Sequence, residues 1–269
     1  MSASTTTRPL ESGWLDDTPV DDSLLRSFLA NQADQQVELV SAIGGRVEQS
    51  AEVTLTDTKQ PITFLNQAVL HRPLTSNADP LLGEVEAFLA KTSGVLVSAW
   101  PTPELSGGGW QLVGHPMFVV RGPVDAVEEP GLGVSVRSAG SAEDLALIER
   151  LVVEGYPMPE AAGLDDNAVL GAALLDGPVH YMLGELDGEP VAAAAVHVAH
   201  GVVNLCMAAT LPAARLRGVW RALVAARCAE GSGLPAAAFT SDYSRPGFVK
   251  MGFLPLTRFT LWAWPGATQ

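Results

Sequence analysis

Two kinds of apolar patterning alternate along the chain. Short runs with period two, or with continuous apolarity, read as strands: AEVTLTD, TFLNQAVL, GVLVSAW and WQLVGHPMFVVR in the first half, then GVSVRS, HYMLGELDG, VAAAAVHV, VVNLCMAAT, PAAAFTS and PLTRFTLWAW. Between them, helical periodicity marks residues 21–40, 80–91 and 141–155, a long helix from near Arg215 to about Glu230, and short helices after YPMPEAAG and near 245–251. Ser141 with Asp144 forms a capping arrangement, and Asp187-Gly188 and His200-Gly201 read as turns between strands. This is a mixed α/β pattern. A Gly-, Pro- and acid-rich stretch at 122–133 reads as a linker, dividing the chain into 1–121 and 134–269.

The halves share a weak repeat. Ser98, Leu105 and Gly109-Trp110 have the spacing of Ser241, Phe248 and Gly252-Phe253. In both places an apolar strand precedes, a proline opens the intervening segment (Pro103, Pro246) and a strand follows. Order and spacing agree together, which favours duplication over chance recurrence and makes the first half a degenerate copy.

Composition narrows the class. Of 269 residues 47% are apolar and 17% charged, with 16 Lys+Arg against 30 Asp+Glu and a net charge of −14. Such a chain is globular, and its acidic balance disfavours a binder of nucleic-acid backbone. Cys206 and Cys228 are too few for a disulfide framework or a Cys-based zinc site, and the five histidines are dispersed, so no metal is expected. The N-terminal MSASTTTRPLESGWLDD lacks the pattern of a signal peptide. Residues 191–214 carry no charge, but His197, His200, Gly201, Asn204 and Pro212 break the run into two strands rather than a membrane helix. The expectation is a cytoplasmic protein that engages neither membrane nor nucleic acid.

The chemistry concentrates in CMAATLPAARLRGVWRALVAARCAE. An uncharged strand ends at Thr210, and a helix opens around Arg215, Arg217 and Gly218. The first N–H groups of a helix have no internal partner, so with the helix dipole they form an anion site that a glycine lets a phosphate approach. Taken alone, the segment reads first as an ordinary helix start with two solvated arginines, because one glycine with two arginines is a weak pattern.

In its order of elements, with RLRGVWRALVAA and SRPGFVKMGF in place, the chain from 131 to 264 resembles the GNAT superfamily of acyl-CoA-dependent N-acyltransferases. The whole layout, with a degenerate GNAT-like half in front, resembles tandem-GNAT proteins. The family's pyrophosphate loop runs Gln/Arg-x-x-Gly-x-Gly/Ala. The resemblance implies that Arg215 fills its first position and Gly218 its fourth, that the N–H groups of Arg217, Gly218, Val219 and Trp220 hold pyrophosphate, and that Met207 and Ala208 bond the pantetheine arm. Two positions depart: Leu216 stands where glycine is usual, and Trp220 where the family has Gly or Ala. The indole either fills the cofactor space or turns sideways into the core. The tyrosine that many members use to reprotonate the CoA thiolate is matched by Phe248, which has no proton to give; Tyr243 is the substitute candidate. No carboxylate stands on the strand before the loop, where members often carry a base; Asn204 and Cys206 share a face there.

Cys206 is a candidate nucleophile or acyl acceptor, but it reads first as a small apolar residue because no histidine is spaced to activate it. Glu154, Tyr156 and Glu160 fall where the family builds its acceptor pocket, and carboxylates there suit a cationic amine. The expected activity is direct transfer of an acetyl group from acetyl-CoA to a small-molecule amine, with a homodimer among the states admitted. The rival expectation is a GNAT fold that has lost acetyl transfer and serves as a binding or scaffold module, or as an enzyme of different chemistry.

Overall fold

The computed structural model describes residues 23–123, 130–156, 158–161 and 163–266. The N-terminal segment lacking a signal pattern and most of the linker stretch therefore lie outside the described residues. Ser23 accepts the Arg26 N–H and opens α1 (Leu24–Ala42). There follow β1 (Arg46–Gln49), β2 (Val53–Asp57), β3 (Gln67–Leu70), α2 (Pro80–Phe88), β4 (Gly94–Ser98), β5 (Gln111–Gly114) and β6 (Met117–Arg121). The second half holds β7 (Val134–Ser138), α3 (Ala142–Gly155), β8 (Val179–Leu186), β9 (Glu189–Ala199), β10 (Val202–Thr210), α4 (Val219–Ala229), β11 (Ala236–Thr240), α5 (Arg245–Lys250), β12 (Leu254–Arg258) and β13 (Thr260–Trp264).

Several local expectations hold. Ser141 accepts the Asp144 N–H at 3.2 Å, and Asp187-Gly188 and His200-Gly201 turn the chain with positive φ at all four residues. Others need correction. The helix expected from Arg215 begins at Val219, because Pro212–Ala214 forms a separate 3-10 turn and Leu216 and Gly218 take left-handed φ. Thr63–Leu65 is a 3-10 turn rather than strand, the helix after YPMPEAAG is the 3-10 segment Ala172–Asp176, and β1 was not foreseen.

The largest correction concerns WQLVGHPMFVVR and PLTRFTLWAW, each read as one strand. Each is two strands in two different sheets. The first sheet runs β1-β2-β3-β4-β13-β5 and the second β12-β6-β11-β10-β9-β8-β7. The first half's last strand, β6, thus lies between β11 and β12, and the second half's last strand, β13, lies between β4 and β5. The chain changes sheets at His115-Pro116 and again at Phe259. Pro116 has no N–H for a ladder, and its carbonyl instead accepts the Phe259 N–H at 3.0 Å where the two crossings meet.

The exchange is reciprocal and regular. The same interval of 143 residues carries β6 to β13 (117 to 260), Ser98 to Ser241 and Gly109 to Gly252. Gly109 and Gly252 both have positive φ, at 92° and 84°, and Trp110 and Phe253 behind them are both buried. In each half the central pair is parallel, β3 with β4 and β10 with β11. These shared features support the duplication.

The halves meet over a core containing Phe28 of α1 with Phe118, Phe239 and Phe259. Phe239 and Phe259 stand edge to face at 4.3 Å. Helix α1 lies against both sheets, and the Asn31 amide donates to the carbonyls of His197, Ala199 and Val202 at 3.0–3.2 Å. Apolar clusters on the two faces of the second sheet pack α4 and α5 on one side and α3 on the other.

Candidate active site

The site begins with a defect in β10. Its ladder with β9 runs regularly to Cys206↔Ala195 and resumes at Ala209↔Ala193, so a bulge intervenes and Met207 takes φ 44°. Left-handed φ at a side chain as large as Met is strained, and such strain persists only where the surroundings impose it. On its other edge β10 pairs with β11 only at Val203↔Ala236 and Asn204↔Ala237. Beyond that the two parallel strands diverge, leaving the β11-facing edge of Leu205 to Thr210 without a ladder partner in β11.

Eight residues, 211–218, connect the end of β10 to the start of α4. Gly218 caps it in left-handed conformation, φ 92°, and supplies no side-chain acceptor. The loop expected to bind pyrophosphate thus leads into a glycine-capped helix, and its two arginines point in different directions. Arg215 turns back, donating through Nε to the Thr210 carbonyl and through Nη2 to the Gly155 carbonyl, both at 3.2 Å, and so ties the loop to the end of α3. Arg217 is exposed, with Asp187 of the β8–β9 turn 3.9 Å away. Leu216 is fully exposed in left-handed conformation, φ 62°, at the position where the resembled family usually has glycine.

Trp220 turns sideways. Its ring meets Phe248 edge to face at 4.9 Å, and a Cβ on Gly247 would come within 2.9 Å of it. The indole therefore bridges α4 and α5. Phe248 is buried between Trp220 and Phe253, so an apolar contact occupies the position of the expected proton donor. Tyr243 is almost fully exposed on the turn before α5, and Glu154 is exposed on the last turn of α3. Tyr156 comes to the bulge: its hydroxyl donates to the Ala208 carbonyl at 2.6 Å, and burial raises its phenol pKa while Arg227 and Arg215 oppose the rise. Glu160 lies in the 3-10 turn Pro159–Ala161. Asn204 meets α1, its side-chain amide donating to Gln32 Oε1 at 3.3 Å.

Burial pushes the Cys206 thiol up to about 12, against the pull of Arg227, so it is protonated at neutral pH. That is the state of a packed cysteine, not an activated nucleophile. Among the described residues no group of His, Cys, Asp or Glu is arranged to hold a metal, and no helix is long and apolar enough to cross a membrane.

One residue at the bulge was missed. Arg227 is fully buried on α4; Nε donates to Leu223 O at 3.0 Å, and Nη1 to the carbonyls of Ala195 and Cys206 at 3.3 and 3.2 Å. The signal was legible: Arg227 falls eight residues after Val219 and four after Leu223, inside the apolar stripe of the helix.

An acyl-CoA carrier needs an anion site for its pyrophosphate and a strand edge for its arm. The glycine-capped helix start and the unpaired edge of β10 fit these needs, while Trp220 narrows the space between α4 and α5.

No protein-family model and no curated protein matches this sequence. Solved structures do match in fold. A GCN5-related N-acetyltransferase from Kribbella flavida superposes with a TM-score of 0.61 at 21% identity, over 89% of this chain and 96% of its own. A GCN5-related N-acetyltransferase from Sphaerobacter thermophilus gives 0.53 at 12% identity, over 82% and 84%. A conserved protein of unknown function from Staphylococcus epidermidis gives 0.61 at 11% identity, over 83% and 95%. Over most of its length this chain therefore has the mixed α/β fold of the GCN5-related N-acetyltransferases.

Proposed function

We propose that the protein is an N-acyltransferase that moves an acetyl group from acetyl-CoA to the amine of a small molecule, in the cytoplasm and by direct transfer. The observation that carries this reading is the parting of β10 from β11 beside the bulge at Met207, with the chain passing from β10 into the glycine-capped start of α4. When bound, acyl-CoA supplies an activated acyl carbon as its thioester. The chain's part is to hold and orient: helix-start N–H groups from Arg217 to Trp220 take the pyrophosphate, and backbone groups at Met207 and Ala208 align the arm. Tyr156, on the Ala208 carbonyl, stands at the acceptor side. No carboxylate lies on β10, so the amine loses its proton to water or bulk buffer rather than to a base on that strand.

Calorimetric titration with acetyl-CoA and with CoA tests this directly. Micromolar binding, followed by CoA release with some member of an amine panel, is expected. No binding at millimolar ligand would overturn it.

The packing of Trp220 on Phe248 and Gly247 favours a second reading, in which the fold is kept and acetyl transfer lost. The two readings separate on Trp220→Ala. If the wild type binds acetyl-CoA, the substitution changes affinity only a few-fold; if it binds none and the variant does, the indole is a plug and the second reading holds.

A further inference from the structure

Arg227 carries a charge that the described residues do not balance. It is fully buried, its Nη2 has no hydrogen-bond partner, and its bonds go to backbone carbonyls, those of Leu223, Ala195 and Cys206. The titratable groups that act on it are two thiols and a phenol, of Cys206, Cys228 and Tyr156, and no carboxylate is among them. Burial lowers its pKa to about 10, so it remains a cation at neutral pH. A buried guanidinium without a counter-ion is costly, and a neutral donor would brace these carbonyls at less cost.

The charge bears on one peptide of the β10 bulge. The Cys206 carbonyl and the Met207 N–H belong to a single planar unit, so a cation on the oxygen draws electron density from the nitrogen and makes the N–H a stronger donor. Arg227 Nη1 holds the Cys206 carbonyl at 3.2 Å together with the carbonyl of Ala195, its cross-strand partner, at 3.3 Å, which puts the Cys206 carbonyl on the β9 side. No peptide bond among the described residues is cis, so the Met207 N–H points the other way, toward the edge of β10 that β11 has left. Two further donors hold the same stretch. The Tyr156 hydroxyl donates to the Ala208 carbonyl at 2.6 Å, and Arg215 Nε to the Thr210 carbonyl at 3.2 Å. The carbonyls of Cys206, Ala208 and Thr210 are thus each held by a side chain from outside β10, and these bonds fix the bulge in which Met207 keeps its φ of 44°.

We propose that Arg227 is a positioning residue for acyl transfer that acts through the Cys206–Met207 peptide, making the Met207 N–H the donor for negative charge developing on the acyl oxygen. This rests on the acyl-transfer reading. In that transfer the amine nitrogen bonds to the acyl carbon and its surplus proton goes to solvent. The carbon–sulfur bond breaks, and CoA leaves with the electron pair as a thiolate that solvent protonates. The acyl oxygen is most negative between these two events. A fixed donor with a buried cation behind it stabilises that charge more than it stabilises the thioester.

The test uses acetyl-CoA isotope-labelled at the acyl carbonyl and reads the carbonyl stretch of the bound thioester by difference infrared spectroscopy. On the wild type the band should lie below that of free acetyl-CoA, and Arg227→Met should move it back toward the free position. Methionine replaces the buried ion with an apolar chain, a change that folded proteins accept, and thermal melts check that the fold is kept. With an amine that the panel identifies, kcat should fall about ten- to hundredfold in Arg227→Met while the acetyl-CoA dissociation constant changes less than about threefold. Arg227→Lys, which keeps the charge, should restore most of kcat; Arg227→Gln, which keeps a donor without the charge, should not. If Arg227→Met does not fold, the wild-type band and the Lys and Gln variants decide. A wild-type band at the free position, an unchanged band and kcat in Arg227→Met, or rescue by Gln as full as by Lys would overturn the role of Arg227 and leave the acyl-transfer reading standing. Failure of the wild type to bind acetyl-CoA would overturn both.

Discussion

The two halves answer one structural question in opposite ways. Each has a helix that starts after the central strands, and each helix start must do something with its N–H groups. At α2 the answer is internal. Asp79 accepts the Leu81 N–H, the Thr75 N–H and hydroxyl, and two bonds from Arg72 at 2.8 and 2.9 Å. The first half carries its own anion. At α4 the cap is Gly218, which has no acceptor to offer, and the strand in front of it is bulged where β3 pairs regularly. Duplication preserved the frame while one copy closed its helix start with a carboxylate and the other, on the proposed reading, left it open for a ligand. A helix N-terminus becomes a binding site by what is withheld from it.

The sharpest way to break this comparison is to remove the internal anion. Asp79→Ala should cost about 2–3 kcal/mol of stability, because a cap and several buried hydrogen bonds go together, with no change in the affinity of α4 for acetyl-CoA. Denaturant melts and the same titration measure both. The Arg72 guanidinium and the Thr75 N–H hold the Asp79 carboxyl well below the usual carboxylate range. Its contribution to stability is therefore complete above about pH 4, where the unfolded group is ionised, and declines as the pH falls below that. Asp79→Asn should flatten that acid limb.

A subtler probe gives the second half what the first has. Gly218→Asp places a carboxylate at the α4 cap and should weaken acetyl-CoA binding at least about tenfold by like-charge repulsion and occupation of the helix start. Gly218→Ala carries comparable backbone strain at φ 92° without the charge, so it should weaken binding less. Equal losses in the two variants would show that geometry, not the absence of an acceptor, distinguishes the halves.

The smallest effect concerns Leu216. A fully exposed leucine at φ 62° is strained, and Leu216→Gly should relieve it for a net gain of about 0.5 kcal/mol, a rise of about 1–2 °C in Tm. No gain would mean that the loop holds Leu216 without strain.

Much of this was open to reading in residues whose neighbours in sequence are their neighbours in space. Ser141 and its cap, the turns at Asp187-Gly188 and His200-Gly201, and the repeat marked by Gly109 and Gly252 are such features. The RLRG segment was legible as a loop, but not the direction of its arginines, because Arg215 bonds to a carbonyl 60 residues away. Tyr156 stood out as a candidate substrate-side residue, but its partner, the Ala208 carbonyl, lies across 52 residues.

By itself the sequence determined most of the strands and helices, their order and the duplication, because periodicity, capping and turn chemistry act over a few residues. Only the tertiary structure decided which sheet each strand enters, where Trp220 packs and what surrounds Arg227. A β-strand presents the same unpaired edge to any partner, and an arginine on an apolar helix face shows neither whether it meets a carboxylate nor whether it is left with none. Those outcomes depend on residues brought together from both halves, after the last strands have changed places.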